Sequence, residues 1–243
     1  MIVLFTDFGG DGPYLGQLNS VLAQHAPDEI IINLLSDAPI FQPKESAYLL
    51  AALERGFPKK SIFLCIIDPG VGSDRLPIVL DVDGKIFIGP DNGVFSIVLR
   101  RGLNVSVKEI TWRPDKLSKS FHGRDLFAPI AAMIATGKSF EWKTLPLESL
   151  AGVDWPDDLN SIIYIDYYGN AMTGVRAHNL QCSDQIKCAG KLFSYASTFS
   201  NVEIGKAFWY ENANGLVEIA VNQGNASTLG LKVGDPISIL ESK

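Results

Sequence analysis

The first half of the chain alternates short apolar runs with segments of helical period. "IVLF" at residues 2–5 is continuously apolar and short, which fits a strand buried on both faces. Next, "GPYLGQLNSVLAQHAP" places Leu15, Leu18, Val21 and Leu22 on one helical stripe and is stopped by Pro27. "EIIINLL" returns to strand character. "PKESAYLLAALERGFP" predicts a helix from Pro43 to Gly56, closed by Pro58. "SIFLCIID" is a third apolar strand, running into the turn "PGVG", and "PIVLDVDGKIFIGPDNGVFSIVLRRG" carries a hairpin signal at Asp83-Gly84. "RDLFAPIAAMIATG" closes this half as a helix. Strands that alternate with helices imply a layered α/β domain with a mainly parallel sheet.

The pattern changes in "TLPLESLAGVDWPDDLNS", a stretch rich in Pro, Asp and Gly. Beyond it the helical period does not return. "SIIYID", "AMTGVRA", "KLFSYA", "LVEIAV" and "DPISIL" are strand candidates separated by the turn residues of "YGN", "NANG" and "VGD", the mark of a small all-β barrel or sandwich. The expected organisation is an N-terminal α/β domain over residues 1–148, a linker over 149–157 and a smaller C-terminal β-barrel domain over 158–243.

Composition narrows the function classes. The 243 residues are 47% hydrophobic and 20% charged, ordinary values for a globular protein with a substantial core. A net charge of −6 without a basic stripe argues against nucleic acid as a partner. No apolar run approaches the roughly 18 residues that span a bilayer, and the opening lacks the basic flank and cleavage site of a signal peptide, so a cytoplasmic protein without a membrane partner is expected. Cys65, Cys182 and Cys188 have no metal-ligand or paired spacing, and His25, His122 and His178 are isolated, so no metal is expected.

Four loops carry the candidate chemistry: "TDFGGDG", "DPGVGSDR", "GPDNG" and "SFHGRD". Three of them follow strands of the α/β half, where a parallel sheet binds ligands beyond its carboxyl edge, and the fourth precedes its last helix. No phosphate loop, dinucleotide fingerprint or nucleophile elbow is present. Taken singly, Asp7 and Asp68 read equally well as turn or capping residues, Arg75 as a loop charge and His122 as a satisfied loop histidine. Taken together, they place an acid, a histidine and an arginine around one polar pocket.

"TDFG" at Thr6, "IDPGVGS" at Ile67 with Arg75, "GPDNG" at Gly89, "FHGRD" at Phe121, "YIDYYGN" at Tyr164 and "EIAVNQGNA" at Glu218 stand in a family order. On these motifs the chain resembles the S-adenosyl-L-methionine (SAM) hydroxide adenosyltransferases, hydrolases that form adenosine and are related to the SAM-dependent fluorinase and chlorinase. The resemblance implies attack of water on C5′ of SAM to give adenosine and L-methionine, SAM being substrate and no cofactor being needed. It also implies a homotrimer with active sites between subunits. By the same resemblance Asp68, Arg75 and His122 hold and polarise the water, Asp7 receives the ribose hydroxyls, and Phe41 forms a wall over the ribose. Asn170 reads adenine, Tyr168 and Phe199 stack or wall it, and Val221 and Gln223 bring backbone groups to its edge. Asp166 contacts the methionine end, and Gly123 and Glu218 complete the substrate-binding set.

Two positions depart from the family. Gly12 stands where an aspartate is usual, with Asp11 one residue earlier, and Ala213 replaces a serine whose hydroxyl matches a contact to the methionine carboxylate. Asp68 and Val71 stand where the halogenases have their own loop residues, which disfavours halide as nucleophile. A halide-using transferase and a non-catalytic adenosine- or SAM-binding protein are the alternatives to a hydrolase.

Overall fold

The computed structural model describes residues 1–241. It divides into two compact units, Met1–Leu50 with Gly56–Trp155 and Ala51–Arg55 with the chain from Pro156 onward. Among the described residues no helix is long and apolar enough to cross a membrane, and no His/Cys/Asp/Glu cluster is placed to hold a metal.

The first unit is built on a seven-stranded sheet in the order β2-β1-β3-β5-β4-β6-β7. β1 (Ile2–Thr6), β2 (Ile31–Leu35), β3 (Ile62–Ile66) and β5 (Lys85–Pro90) form its parallel part. β4 (Pro77–Val82), β6 (Val105–Ile110) and β7 (Trp142–Thr144) extend it antiparallel, starting from the β4–β5 hairpin that turns at Asp83-Gly84. Every residue of β1 and β3 is buried, as their unbroken apolar runs require of strands covered on both faces. Alternation sends Ile2, Leu4, Ile62, Leu64 and Ile66 into one core cluster. Leu18 and Leu22 of α1 (Pro13–His25) and Ile130, Ala131 and Ala132 of α4 (Ala128–Ala135) complete it. α2 (Pro43–Leu53) buries Ala47 to Ala51.

Several segments differ from the expectation. "SIVLRR" forms the short helix α3 (Ser96–Arg101) rather than continuing the strand run before it, because Asn92 and Gly93 end β5 and a turn starts the helix. β6 and β7 carry charged or exposed residues that mask their alternation. The last helix of this unit begins as a π turn over Gly123–Phe127, in which the Ala128 amide donates to the Gly123 carbonyl.

The second unit has two antiparallel sheets. The larger runs β12 (Ala207–Glu211), β13 (Leu216–Val221), β9 (Ala171–Arg176) and β8 (Leu159–Ile165); the smaller runs β11 (Lys191–Phe193), β10 (Gln185–Cys188) and β14 (Ile237–Leu240). Single bridges join their edges at both seams, Ser161 to Pro236 and Tyr195 to Trp209, so the sheets close into a small barrel. Ile162, Trp209, Val217, Ile219 and Ile237 fill it, and the buried Trp209 indole donates to the Asp184 carbonyl.

Candidate active site

β1 and β3 are neighbours in register, Thr6 opposite Ile66. Asp7 and Asp68, one and two residues beyond those strand ends, therefore leave the same sheet edge. The "PGVG" turn then reverses the chain. Gly72 has φ +81°, and a Cβ there would lie 2.7 Å from the Lys119 carbonyl oxygen. Only glycine lets this turn press against the segment that carries His122. The Asn92 amide of "GPDNG" donates to the Ile67 carbonyl at 2.8 Å and props the strand end beside Asp68.

The consequence is a continuous hydrogen-bonded chain. Arg75 Nε donates to both Asp68 oxygens at 2.9 and 3.1 Å, and Arg75 Nη2 makes a short contact with Oδ2. The same Nη2 lies 2.9 Å from His122 Nδ1. Both members of the ion pair are nearly dehydrated, with side chains 9% and 6% exposed. The guanidinium also rests over the Phe127 ring at 5.3 Å. A guanidinium has donors but no acceptor, so Nδ1 must accept, and the neutral imidazole carries its proton on Nε2. Burial first, and then the Arg75 charge, hold the His122 pKa below the ordinary histidine value, which favours this neutral form.

These groups border a cavity of about 550 Å³ lined by Asp7, Phe41, Ile66, Asp68, Val71, His122 and Gly123. Asp7 Oδ2 accepts the Phe41 amide at 3.1 Å, while burial pushes its carboxyl up in pKa. Phe41 holds φ +60° and is 70% exposed, an unusual conformation for a bulky residue and one that places its ring at the cavity wall. A Cβ at Gly123 would lie 3.3 Å from Phe121 and 3.4 Å from Ile66 and Phe8, so a side chain there would press on the wall.

The second unit has its own open cavity, about 730 Å³, lined by Asp166, Tyr168, Asn170, Phe199, Tyr210, Glu218, Val221 and Gln223. Gly169, at φ +84°, allows the tight turn after Tyr168; a Cβ there would overlap the Asn225 side chain. Asp166 accepts the Asn170 amide N–H at 2.8 Å and its side-chain Nδ2 at 3.1 Å. The Asn170 backbone carbonyl accepts the Asp166 amide at 3.0 Å, which leaves the side-chain Oδ1 and the second Nδ2 hydrogen for a ligand. Glu218 is 2% exposed, accepts Asn212 Nδ2 at 2.7 Å and makes a short contact with the Tyr210 hydroxyl. Burial raises the pKa of both Glu218 and Tyr210.

The sequence profile of the SAM hydroxide adenosyltransferase N-terminal domain matches residues 2–143, and that of the corresponding C-terminal domain matches residues 160–238. The chain belongs to the SAM hydroxide adenosyltransferase family. Among curated relatives, a Thermus thermophilus protein named (R)-S-adenosyl-L-methionine hydrolase is 30% identical, aligned over 98% of this chain and 99% of its own. A Salinispora arenicola protein of the same name is 29% identical over 96% and 95%. Among solved structures, an uncharacterized conserved protein from Thermotoga maritima superposes with a TM-score of 0.88 at 28% identity, covering 99% of this chain and all of that one.

Asp7, Phe41, Asp68, His122 and Gly123 line one cavity, with Arg75 linking Asp68 to His122. Asp166, Tyr168, Asn170, Phe199, Glu218, Val221 and Gln223 line the other. Ala213 lies in the exposed turn between β12 and β13, outside the lining of the second cavity. Sequence reasoning missed Tyr14, Gln17 and Arg124 in the first cavity and Tyr210 in the second. Arg124 was visible within "FHGRD"; Tyr210 sits on β12, a short run without alternation.

Proposed function

We propose that this protein hydrolyses S-adenosyl-L-methionine at the ribose C5′ to adenosine and L-methionine. The observation that carries the reading is the Asp68–Arg75–His122 chain at the edge of a cavity that also holds Asp7, in a family whose curated relatives are named as (R)-SAM hydrolases. Water oxygen forms the new bond to C5′, the C5′–S bond breaks, and its electron pair neutralises the sulfonium to the thioether of methionine. One proton leaves the water. The sulfonium is already a good leaving group, so the main requirement is a desolvated water held in line with the C–S bond, an effect worth several kcal/mol of barrier.

The imidazole tautomer divides the roles. His122 offers Nε2–H to the water oxygen and fixes one of its lone pairs, which leaves the other for carbon. Asp68, an acceptor only, takes the water proton, and Arg75 keeps that carboxylate aimed while favouring hydroxide-like charge. Asp7 receives the ribose hydroxyls, with Phe41 over the sugar. The side-chain oxygen of Asn170 accepts from the exocyclic amine of adenine between Tyr168 and Phe199, with Val221 and Gln223 along its edge. The two sets of residues act in one site shared between the subunits of a homotrimer.

The test is incubation of the purified protein with each sulfur epimer of SAM in chloride-free buffer and then with added halide, following products by chromatography. Equimolar adenosine and methionine, unaffected by halide, are expected, from the R epimer that the relatives' names specify. A 5′-halo-adenosine would make the protein a transferase to halide. Binding without any product would make it a binding protein.

A further inference from the structure

The cavity of the first unit carries charges of both signs. Asp7 and Asp68 supply carboxylates, and Arg124 is the one cationic side chain in its lining. Arg124 is held on three sides. Asp125 accepts from its Nε at 2.5 Å and its Nη2 at 3.0 Å, Gln17 Oε1 accepts from its Nη1 at 2.8 Å, and the guanidinium lies over the Phe121 ring at 5.1 Å. Asp125 is anchored in turn by the Ser118 amide at 2.8 Å. Three of the five guanidinium N–H groups are thereby used, and one remains on each terminal nitrogen. The side chain is still 34% exposed, so those two donors can reach a ligand.

Resting on the hydrolase reading above, we propose that Arg124 binds the carboxylate of the substrate's methionine moiety and is the specificity determinant for an amino-acid sulfonium. SAM holds a single carboxylate; its adenine and ribose bear no anion, and its sulfonium and ammonium are cations that a guanidinium repels. A rigid guanidinium with two unused donors is the natural complement of a carboxylate. The other position that the sequence pointed to for this contact is Ala213, which has no hydroxyl and lies in the exposed β12–β13 turn. Tyr14 and Gln17, on the first turns of α1, line the same cavity as Arg124, with Gln17 holding its guanidinium.

The experiment compares SAM with decarboxylated SAM of the same sulfur configuration, substrates that differ only in the carboxylate. In the wild type kcat/KM should favour SAM by about tenfold to a hundredfold, the discrimination expected of a charge-assisted bidentate contact. In Arg124→Gln that preference should fall at least about tenfold, toward unity, with adenosine affinity unchanged. Because each preference is a ratio within one protein, partial loss of folded enzyme cancels. Arg124→Met, which keeps the stem over Phe121, replaces the glutamine variant if that one does not fold. A wild-type preference retained in whichever variant is folded overturns the proposal. If the wild type hydrolyses neither compound, the hydrolase reading fails, and the same ratio is then taken from equilibrium binding of the two compounds: loss of the preference on substitution supports the Arg124 contact, and its persistence overturns it.

Discussion

His122 and Asp68 touch the water rather than the purine in the proposed reaction, so their loss separates chemistry from binding. His122→Ala and Asp68→Ala should each lower turnover at least about tenfold while adenosine affinity stays within severalfold, read by steady-state kinetics and calorimetry. Equal losses in both would contradict a role at the water. The pH dependence follows from the neutral ring. Protonation would place a second cation against Arg75 and remove the acceptor at Nδ1, so the active form is the deprotonated one. Since burial and Arg75 lower the pKa, with Asp68 and Asp125 opposing and Arg113 adding to the shift, activity should persist as pH falls through the ordinary histidine range and decline only below it. Stability has the same sign: the unfolded chain takes up that proton first, so falling pH weakens the fold across the interval between the two pKa values. An acid limb of kcat at or above the ordinary histidine value would contradict the assigned tautomer. Asp7, Asp68 and His122 were legible as types of residue in loops, but the ring's tautomer was not, because it is set by Arg75, which approaches only after the turn closes.

Elements place these side chains, and glycine decides how closely two loops can approach. Gly72→Ala introduces a Cβ against the Lys119 carbonyl at a φ that L-residues avoid. It should cost about 1–3 kcal/mol in thermal or denaturant unfolding. It should also reduce turnover beyond what that destabilisation explains, because the Asp68–Arg75 and His122 segments are pushed apart. A turnover equal to wild type would show that the turn can relax without moving the chain of hydrogen bonds. The buried strands β1 and β3 were readable from their unbroken apolar runs, and α1 from its stripe. α3 was not, since "GVFSIVLRRG" is apolar enough to pass for a strand and is too short to show a helical period. β10 escaped because it is only four residues long, and β12 because Phe208 and Trp209 are both buried, so it shows no alternation.

At the scale of the molecule, each unit owns part of the proposed site, and the proposed homotrimer predicts how the parts combine. Co-refolding His122→Ala chains with Asn170→Ala chains should restore activity that neither has alone, because some sites then draw both intact halves from different subunits. With random assembly of equal amounts, about a quarter of the wild-type activity is expected for a ring of three. No recovery, with mixed trimers demonstrated by mass, would place each complete site within one subunit. The change from α/β to all-β was legible in the loss of helical period after residue 145. How the strands of the second unit close was not, since the seams rest on the single bridges Ser161–Pro236 and Tyr195–Trp209, which leave no mark in composition. The spacing of the water-holding chain has a further consequence, in time rather than space. Arg75 meets His122 across 47 residues, and Asp7 meets Phe41 across 34. Neither of these pairs is local; only the Asp68–Arg75 ion pair, seven residues apart, can form within one turn, and closing the longer loops comes before any reward from the other contacts. A folding chain therefore gains its part of the proposed chemistry only once β1, β3 and the π turn have all met.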